Sequence, residues 1–175
     1  TWAENFFITN PVVATDGQSL FISSDFDRKL FVWRRLPNES AAKPDLTFSL
    51  PDGPWDNALH GQTLALAGRR TVYVWRKLPL DGELPDLTLS DRIGSVRLQE
   101  LTGVALDDKY FYLADRQAQS IYVWEGIPSR ESEPKFTLSM QSPGRLASDG
   151  QYLAAAPFEG QAIAVWRVNE LGADA

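Results

Sequence analysis

Apolar positions along this chain come in short runs of roughly four to six residues, rich in Val, Ile, Leu and aromatics and bounded by Asp-Gly, Gly or Pro. No stretch carries the apolar period of an amphipathic helix. The pattern predicts strands throughout. Its clearest run is Ser120-Ile121-Tyr122-Val123-Trp124-Glu125-Gly126-Ile127-Pro128, with Pro134-Lys135-Phe136-Thr137-Leu138-Ser139 starting ten residues after the Trp. The run recurs as Thr71-Val72-Tyr73-Val74-Trp75-Arg76-Lys77-Leu78-Pro79 and as Lys29-Leu30-Phe31-Val32-Trp33-Arg34-Arg35-Leu36-Pro37. Each is followed by a second segment, Pro85-Asp86-Leu87-Thr88-Leu89-Ser90 and Pro44-Asp45-Leu46-Thr47-Phe48-Ser49. A shorter copy is Ala162-Ile163-Ala164-Val165-Trp166-Arg167-Val168.

The Trp residues stand at 33, 75, 124 and 166, in steps of 42, 49 and 42. Unit one predicts strands over residues 12–14, 19–23, 30–34 and 45–50, with Asp16-Gly17 as the first turn and a loop over 25–28. Unit two gives 57–60, 63–67, 71–76 and a strand following Pro85. Unit three gives 101–106, 110–114, 120–125 and a strand from Phe136. Unit four gives 145–148, 151–155 and 161–167. A repeat of this length with several strands per unit is the signature of a β-propeller. The expected fold is all-β: a propeller of four four-stranded antiparallel blades in one domain, with units at about 10–50, 56–91, 100–140 and 143–168.

Pro37, Pro79 and Pro128 stop the third strand, and Pro44, Pro85 and Pro134 open the fourth. Pro is tolerated at a strand's first residue or on an edge, which puts the fourth strand outermost. Unit four lacks that strand. Residues 5–9 read as the outer strand displaced to the front of the chain, because an open sheet edge is a liability. Two assemblies satisfy the pattern. Four blades close on themselves, or they form part of a larger ring completed by a second copy or by further blades.

Composition narrows the function classes. The 175 residues carry a formal charge of −6, so the basic stripe of a nucleic-acid binder is not expected. No apolar run is long enough to span a bilayer as a helix. Thr1 in place of an initiator Met suggests processing or trimming, with export and signal removal as one route. There is no Cys, hence no disulfide or thiolate site, and His60 as the lone His excludes a multi-histidine metal centre. No nucleotide loop, nucleophile elbow, EF-hand or zinc signature is present.

The aliphatic-aromatic-Val-Trp strand, Ile/Leu-Pro, and Pro-Asp-Leu-Thr-Leu resemble the NHL-type β-propeller repeat, from about Asn10 to Arg167. Ala114-Asp115 and Ser24-Asp25 match the family's Asp at the end of the second strand. Unit two departs with Gly68-Arg69, and unit four with Ala156-Pro157. The resemblance implies the fold. Propellers host enzymes, ligand binders and docking platforms alike, so function must come from a site.

The recurring Trp residues read as packing between blades. Candidate functional residues lie on the loops between second and third strands and on the blade connections. They are Arg28, Arg69, Arg70, Asp115, Arg116 and Glu159, with Trp55, Asp56, His60, Arg97 and Arg145. Guanidinium groups in bidentate geometry suit carboxylate or phosphate. The expected function is a non-catalytic, rigid binding or scaffold module for a protein, a peptide or a small anionic ligand at the channel mouth. The alternative is a lactonase-like hydrolase or lyase holding a divalent metal with Asp56, Asn57, Asp115 and Glu159, His60 serving as base.

Overall fold

The computed structural model describes residues 8–39 and 42–172. The first sheet is β1 (Pro11–Thr15), β2 (Leu20–Ser24), β3 (Lys29–Trp33) and β4 (Leu46–Ser49), hydrogen-bonded in that order. The second is β5 (Pro54–His60), β6 (Thr63–Gly68), β7 (Thr71–Trp75) and β8 (Leu87–Ser90). A two-stranded ribbon follows, β9 (Arg92–Ile93) and β10 (Val96–Arg97). The third sheet is β11 (Leu101–Leu106), β12 (Tyr110–Asp115), β13 (Ser120–Glu125) and β14 (Phe136–Ser139). The fourth has β15 (Pro143–Ser148), β16 (Tyr152–Pro157) and β17 (Ala164–Arg167), and no fourth strand among the described residues. The predicted N-terminal strand at residues 5–9 lies mostly outside the described residues. All neighbouring strands in these sheets run antiparallel.

Strand alternation explains the core. In the second sheet Leu64, Leu66, Tyr73 and Trp75 pack against Phe21, Leu30, Val32 and Phe48 of the first. Their neighbours Ala65, Ala67, Val72 and Val74 turn the other way, toward Val104, Phe111, Leu113 and Trp124 of the third sheet. A further cluster joins Tyr112, Ile121 and Val123 to Leu146, Leu153 and Ala155 of the fourth. Sheets therefore stack face to face along the chain, and all five residues of β7 are buried. Trp75 faces the preceding sheet, with Phe48 edge-on at 5.8 Å, and Trp124 does the same one sheet later. Each indole N–H donates to a carbonyl on the following Pro-bearing loop: Trp33 to Ala42 at 3.1 Å, Trp75 to Glu83 at 2.8 Å, Trp124 to Ser132 at 3.1 Å. The Trp and the loop recur together because one holds the other.

The inner strands β1, β5, β11 and β15 lie side by side in that order. Single side chains brace them across the sheets. Asn57 Nδ2 donates to the Val12 carbonyl at 2.9 Å, Asp56 accepts from the Val104 N–H at 3.0 Å, and Thr102 Oγ1 donates to the Pro143 carbonyl at 2.7 Å. Gly103 lets β11 approach β15 so closely that a Cβ there would collide with the Gly144 carbonyl oxygen. Among the described residues the series runs open from β1 to β15, and no closed ring forms.

Candidate functional site

Inner strands β5, β11 and β15 each begin with a register shift, between Pro54 and Asp56, Leu101 and Gly103, and Pro143 and Leu146. Trp55 and Thr102 are the extra residues in β5 and β11; Gly144 and Arg145 occupy the corresponding stretch of β15. Such bulges re-aim side chains and cluster near functional sites. They share one face with the loops after β2, β6, β12 and β16, since Pro11 pairs with Ser24, Pro54 with Gly68, Leu101 with Asp115, and Pro143 with Pro157. The inner hairpin turns lie on the opposite face.

A cleft of about 460 Å³ on the loop face is lined by Arg69, Arg70, Arg97, Leu98, Gln99 and Gln117. The sequence places Arg69 and Arg70 in the β6–β7 loop, Gln117 in the β12–β13 loop, and Arg97 on the ribbon. The ribbon accounts for the surplus in the 49-residue step. It is held rigidly. Ile93 and Leu98 are fully buried. Gly94 N–H donates to the Arg130 carbonyl at 2.8 Å, and Ser95 N–H to Glu133 Oε1 at 2.8 Å. Asp115 fixes the exit of the ribbon: its buried carboxylate accepts from the N–H groups of Gln99 at 2.7 Å, Glu100 at 3.1 Å and Ala118 at 3.1 Å. Arg70 pairs with Asp91 at 2.7 Å. Among the described residues Arg69 and Arg97 have no carboxylate within ion-pair reach.

Beside the cleft lies an aromatic shelf. Trp55 meets Phe158 edge-on at 5.8 Å, and the Arg116 guanidinium lies over the Phe158 ring at 4.2 Å. Arg116 is also forked onto Glu100 (3.0 and 2.8 Å) and reaches Glu159 at 3.4 Å. Arg116 directly precedes the cleft residue Gln117 on the loop after β12, which is the link in sequence between shelf and cleft.

The remaining candidates fall elsewhere. His60 ends β5 at the hairpin with Thr63, about 20 Å of strand from the loop face. There its Nε2 meets Asp108 at 2.8 Å, bridging neighbouring hairpins, and it is not placed to act as a base at the channel mouth. Arg28 is exposed on the loop of the first sheet, away from the cleft lining. Arg145 is exposed on β15 and bears electrostatically on Asp56. The proposed metal set does not assemble: Asp56 and Asp115 are turned onto backbone N–H groups, Asn57 spends both amide hydrogens on Val12 and Ser23, and Glu159 serves Arg116. Among the described residues no three His, Cys, Asp or Glu side chains are grouped to hold a metal. Burial raises the Asp56 carboxyl to about 6, against the Val104 N–H and Arg145, which favour its charge. Sequence reading missed Gln99, Gln117, Thr102 and Phe158. The unequal repeat step was the signal for the ribbon and its neighbours; nothing in the repeat marked Phe158.

All-β, propeller-like stacking of sheets is therefore the class this chain defines, with a charged and aromatic loop face. No family model matches the chain, and no curated protein matches it. Among solved structures it is similar to a chain of the Chaetomium thermophilum Polycomb Repressive Complex 2 bound to GSK126, at 19% identity and a TM-score of 0.65, covering 94% of this chain and 40% of that one. It is also similar to a chain of an active polycomb repressive complex 2 in the basal state, at 18% identity and a TM-score of 0.64, covering 94% and 38%. The computationally designed Ika4 protein matches at 13% identity and a TM-score of 0.56, covering 90% of this chain and 89% of that one. This chain spans about two-fifths of the Polycomb complex chains it matches. At these identities the likeness is one of fold.

Proposed function

We propose that this chain is a rigid, non-catalytic propeller module of NHL-like repeats that binds a protein or peptide on its loop face. The observation that carries the reading is that the loop face holds both the Trp55–Phe158–Arg116 cluster and the arginine cleft, linked along the chain at Arg116-Gln117. Exposed aromatics and Arg are the side chains that anchor protein interfaces. The Polycomb complex likeness supports a role in assemblies only as a precedent for the fold. Panning a random dodecapeptide display library on the immobilised chain tests the proposal. Enriched peptides are expected to lose at least tenfold in affinity to Phe158→Ser and to keep it in His60→Ala on the opposite face. Peptides indifferent to Phe158→Ser would remove the loop face from the proposal.

The fourth sheet is the last of four blades, completed by the N-terminal segment of the same chain or of a second copy. In three sheets the residue three before the Trp pairs with an apolar residue of the outer strand: Leu30 with Phe48, Val72 with Leu89, Ile121 with Leu138. The equivalent Ile163 is 69% exposed and has no strand partner among the described residues. Asn10 and Ser142 share a left-handed φ of 50° directly before Pro11 and Pro143, which aligns the starts of β1 and β15 at an offset of 132. The bulge in β15 explains why the Asp-Gly turns differ by 133 instead. On that offset the proposed completion pairs Phe6 with Ile163. The chain has no Cys, so Phe6→Cys/Ile163→Cys is a clean probe. Mild oxidation is expected to cross-link it, within one chain if the ring closes alone and between chains if a second copy completes it. Failure to cross-link, with the shifted Asn5→Cys/Ile163→Cys pair equally inert, would overturn strand completion.

A further inference from the structure

We propose that the cleft of Arg69, Arg70 and Arg97 receives a phosphate monoester carried on a peptide side chain, with the residue after it lying on the Trp55–Phe158 shelf. The inference rests on the binding-module reading and names its ligand chemistry. The chain carries −6 overall, yet no acidic residue lines this cleft. Asp91 neutralises Arg70 alone. Arg69 and Arg97 have no ion-pair partner and unspent N–H donors among the described residues, so the lining side chains carry a local positive surplus, with the Asp52 and Asp115 carboxylates held behind them on the Arg70 and Gln99 N–H groups. A phosphate monoester brings about −1.5 to −2 charge and several acceptor oxygens, and matches that surplus; a carboxylate brings a single charge. Gln99 and Gln117 offer uncharged amide donors at the walls, and buried Leu98 lies among them.

Two further features favour a peptide as the carrier. The backbone that carries Arg97 is set in advance, because the ribbon is fixed by buried Ile93 and Leu98 and by Asp115 on the Gln99 and Glu100 N–H groups. A preformed ribbon is spared the cost of ordering that loop on binding, which leaves the arginine side chains to order. No aromatic ring lines the cleft, so a nucleotide base entering with its phosphate has nothing there to stack on. The aromatic shelf is linked to the cleft along the loop after β12, through Arg116 on Phe158 and its neighbour Gln117, and offers the next apolar side chain of a bound peptide a place to rest.

The test is fluorescence anisotropy with a labelled decapeptide bearing one phosphoserine followed by Leu, its unphosphorylated twin, and a twin with Glu in place of phosphoserine. Free O-phosphoserine and adenosine monophosphate serve as competitors. The phosphopeptide is expected to bind at least tenfold tighter than either twin, with affinity falling steeply as salt rises. Arg69→Gln/Arg97→Gln is expected to lose at least tenfold with an unchanged melting temperature, and Arg130→Gln outside the cleft is expected to bind like the parent. Equal binding of the phosphorylated and unphosphorylated peptides, or parental affinity in the double variant, would overturn the assignment. Displacement by adenosine monophosphate at lower concentration than by O-phosphoserine would overturn the peptide carrier. The two readings separate cleanly. Panned peptides that need Phe158 but ignore Arg69 and Arg97 leave the module and remove the phosphate. O-phosphoserine binding that needs both arginines, with no peptide needing Phe158, leaves the cleft and removes the shelf.

Discussion

Trp75→Ala is expected to lower stability by about 3–5 kcal/mol, read as a fall in the urea midpoint with an unchanged slope. Trp75 is fully buried and faces the first sheet through Phe48 at 5.8 Å. Its removal empties the wedge between two sheets and leaves the Glu83 carbonyl without its indole donor. Trp124 occupies the same place one sheet later and is expected to behave alike. Trp166 is the informative contrast. It aligns in the repeat yet is only half-buried against the cluster of Tyr112 and Leu153, so from the described contacts alone Trp166→Ala is expected to cost less than half as much. Equal losses at Trp75 and Trp166 would contradict the stacking order of the sheets.

Asp56→Asn is expected to stabilise the protein above neutral pH by up to about 3 kcal/mol. Burial raises the Asp56 carboxyl from 3.8 to about 6 in the folded chain, despite the Val104 N–H and Arg145. Between these values the folded state holds a proton that the unfolded chain has released. The favourable contribution of this group is thus complete below about pH 4, declines as pH rises through about 6, and is gone above. Asn keeps an acceptor for the Val104 N–H and has no charge to bury, but its NH2 cannot accept from the Asn57 and Leu146 N–H groups that also bond the carboxylate, so the gain stays below that bound. The parent-minus-variant difference in unfolding free energy, measured from pH 4.5 to 8, should therefore fall with pH and then level. Asp107, Asp16 and Asp149 act in the opposite sense. Burial works against the Asp107 charge, but hydrogen bonds from Ser148, Tyr112 and two backbone N–H groups win and hold its carboxyl low. Asp16 and Asp149 are held low first by the backbone N–H groups of Ser19 and Tyr152. These groups lose their contribution as pH falls, which is why the difference between variants is more telling than either curve. A flat difference would show that Asp56 does not ionise in this range.

The arginine cleft explains how an acidic protein can offer a basic site. Most carboxylates near it are already committed: Asp115 to backbone N–H groups, Asp91 to Arg70, Glu100 and Glu159 to Arg116. Net charge counts all of these equally, whereas a ligand meets only what lines the cleft.

Period-two alternation, recurring Trp and Pro, and Asp-Gly turns were enough to set the strands of the first three sheets, the outer place of the Pro-initiated strand, and the packing role of the Trp residues. These are properties of a residue and its near neighbours, since strand pleat and turn sterics act within a few positions. The loop face as a whole was legible for the same reason: strand order alone puts the loops after β2, β6 and β12 together. Which residues on that face meet was decided by tertiary structure. Arg97 joins Arg69 because a ribbon seen in the sequence only as a longer repeat step folds back onto the third sheet, and Trp55 meets Phe158 because a bulge re-aims one strand toward another sheet. His60 and Asp115 stood among the candidate residues, yet one pairs across the far hairpins and the other is buried on three backbone donors. Contacts between sheets depend on the twist and spacing of whole layers, and no local pattern of residue types carries that information.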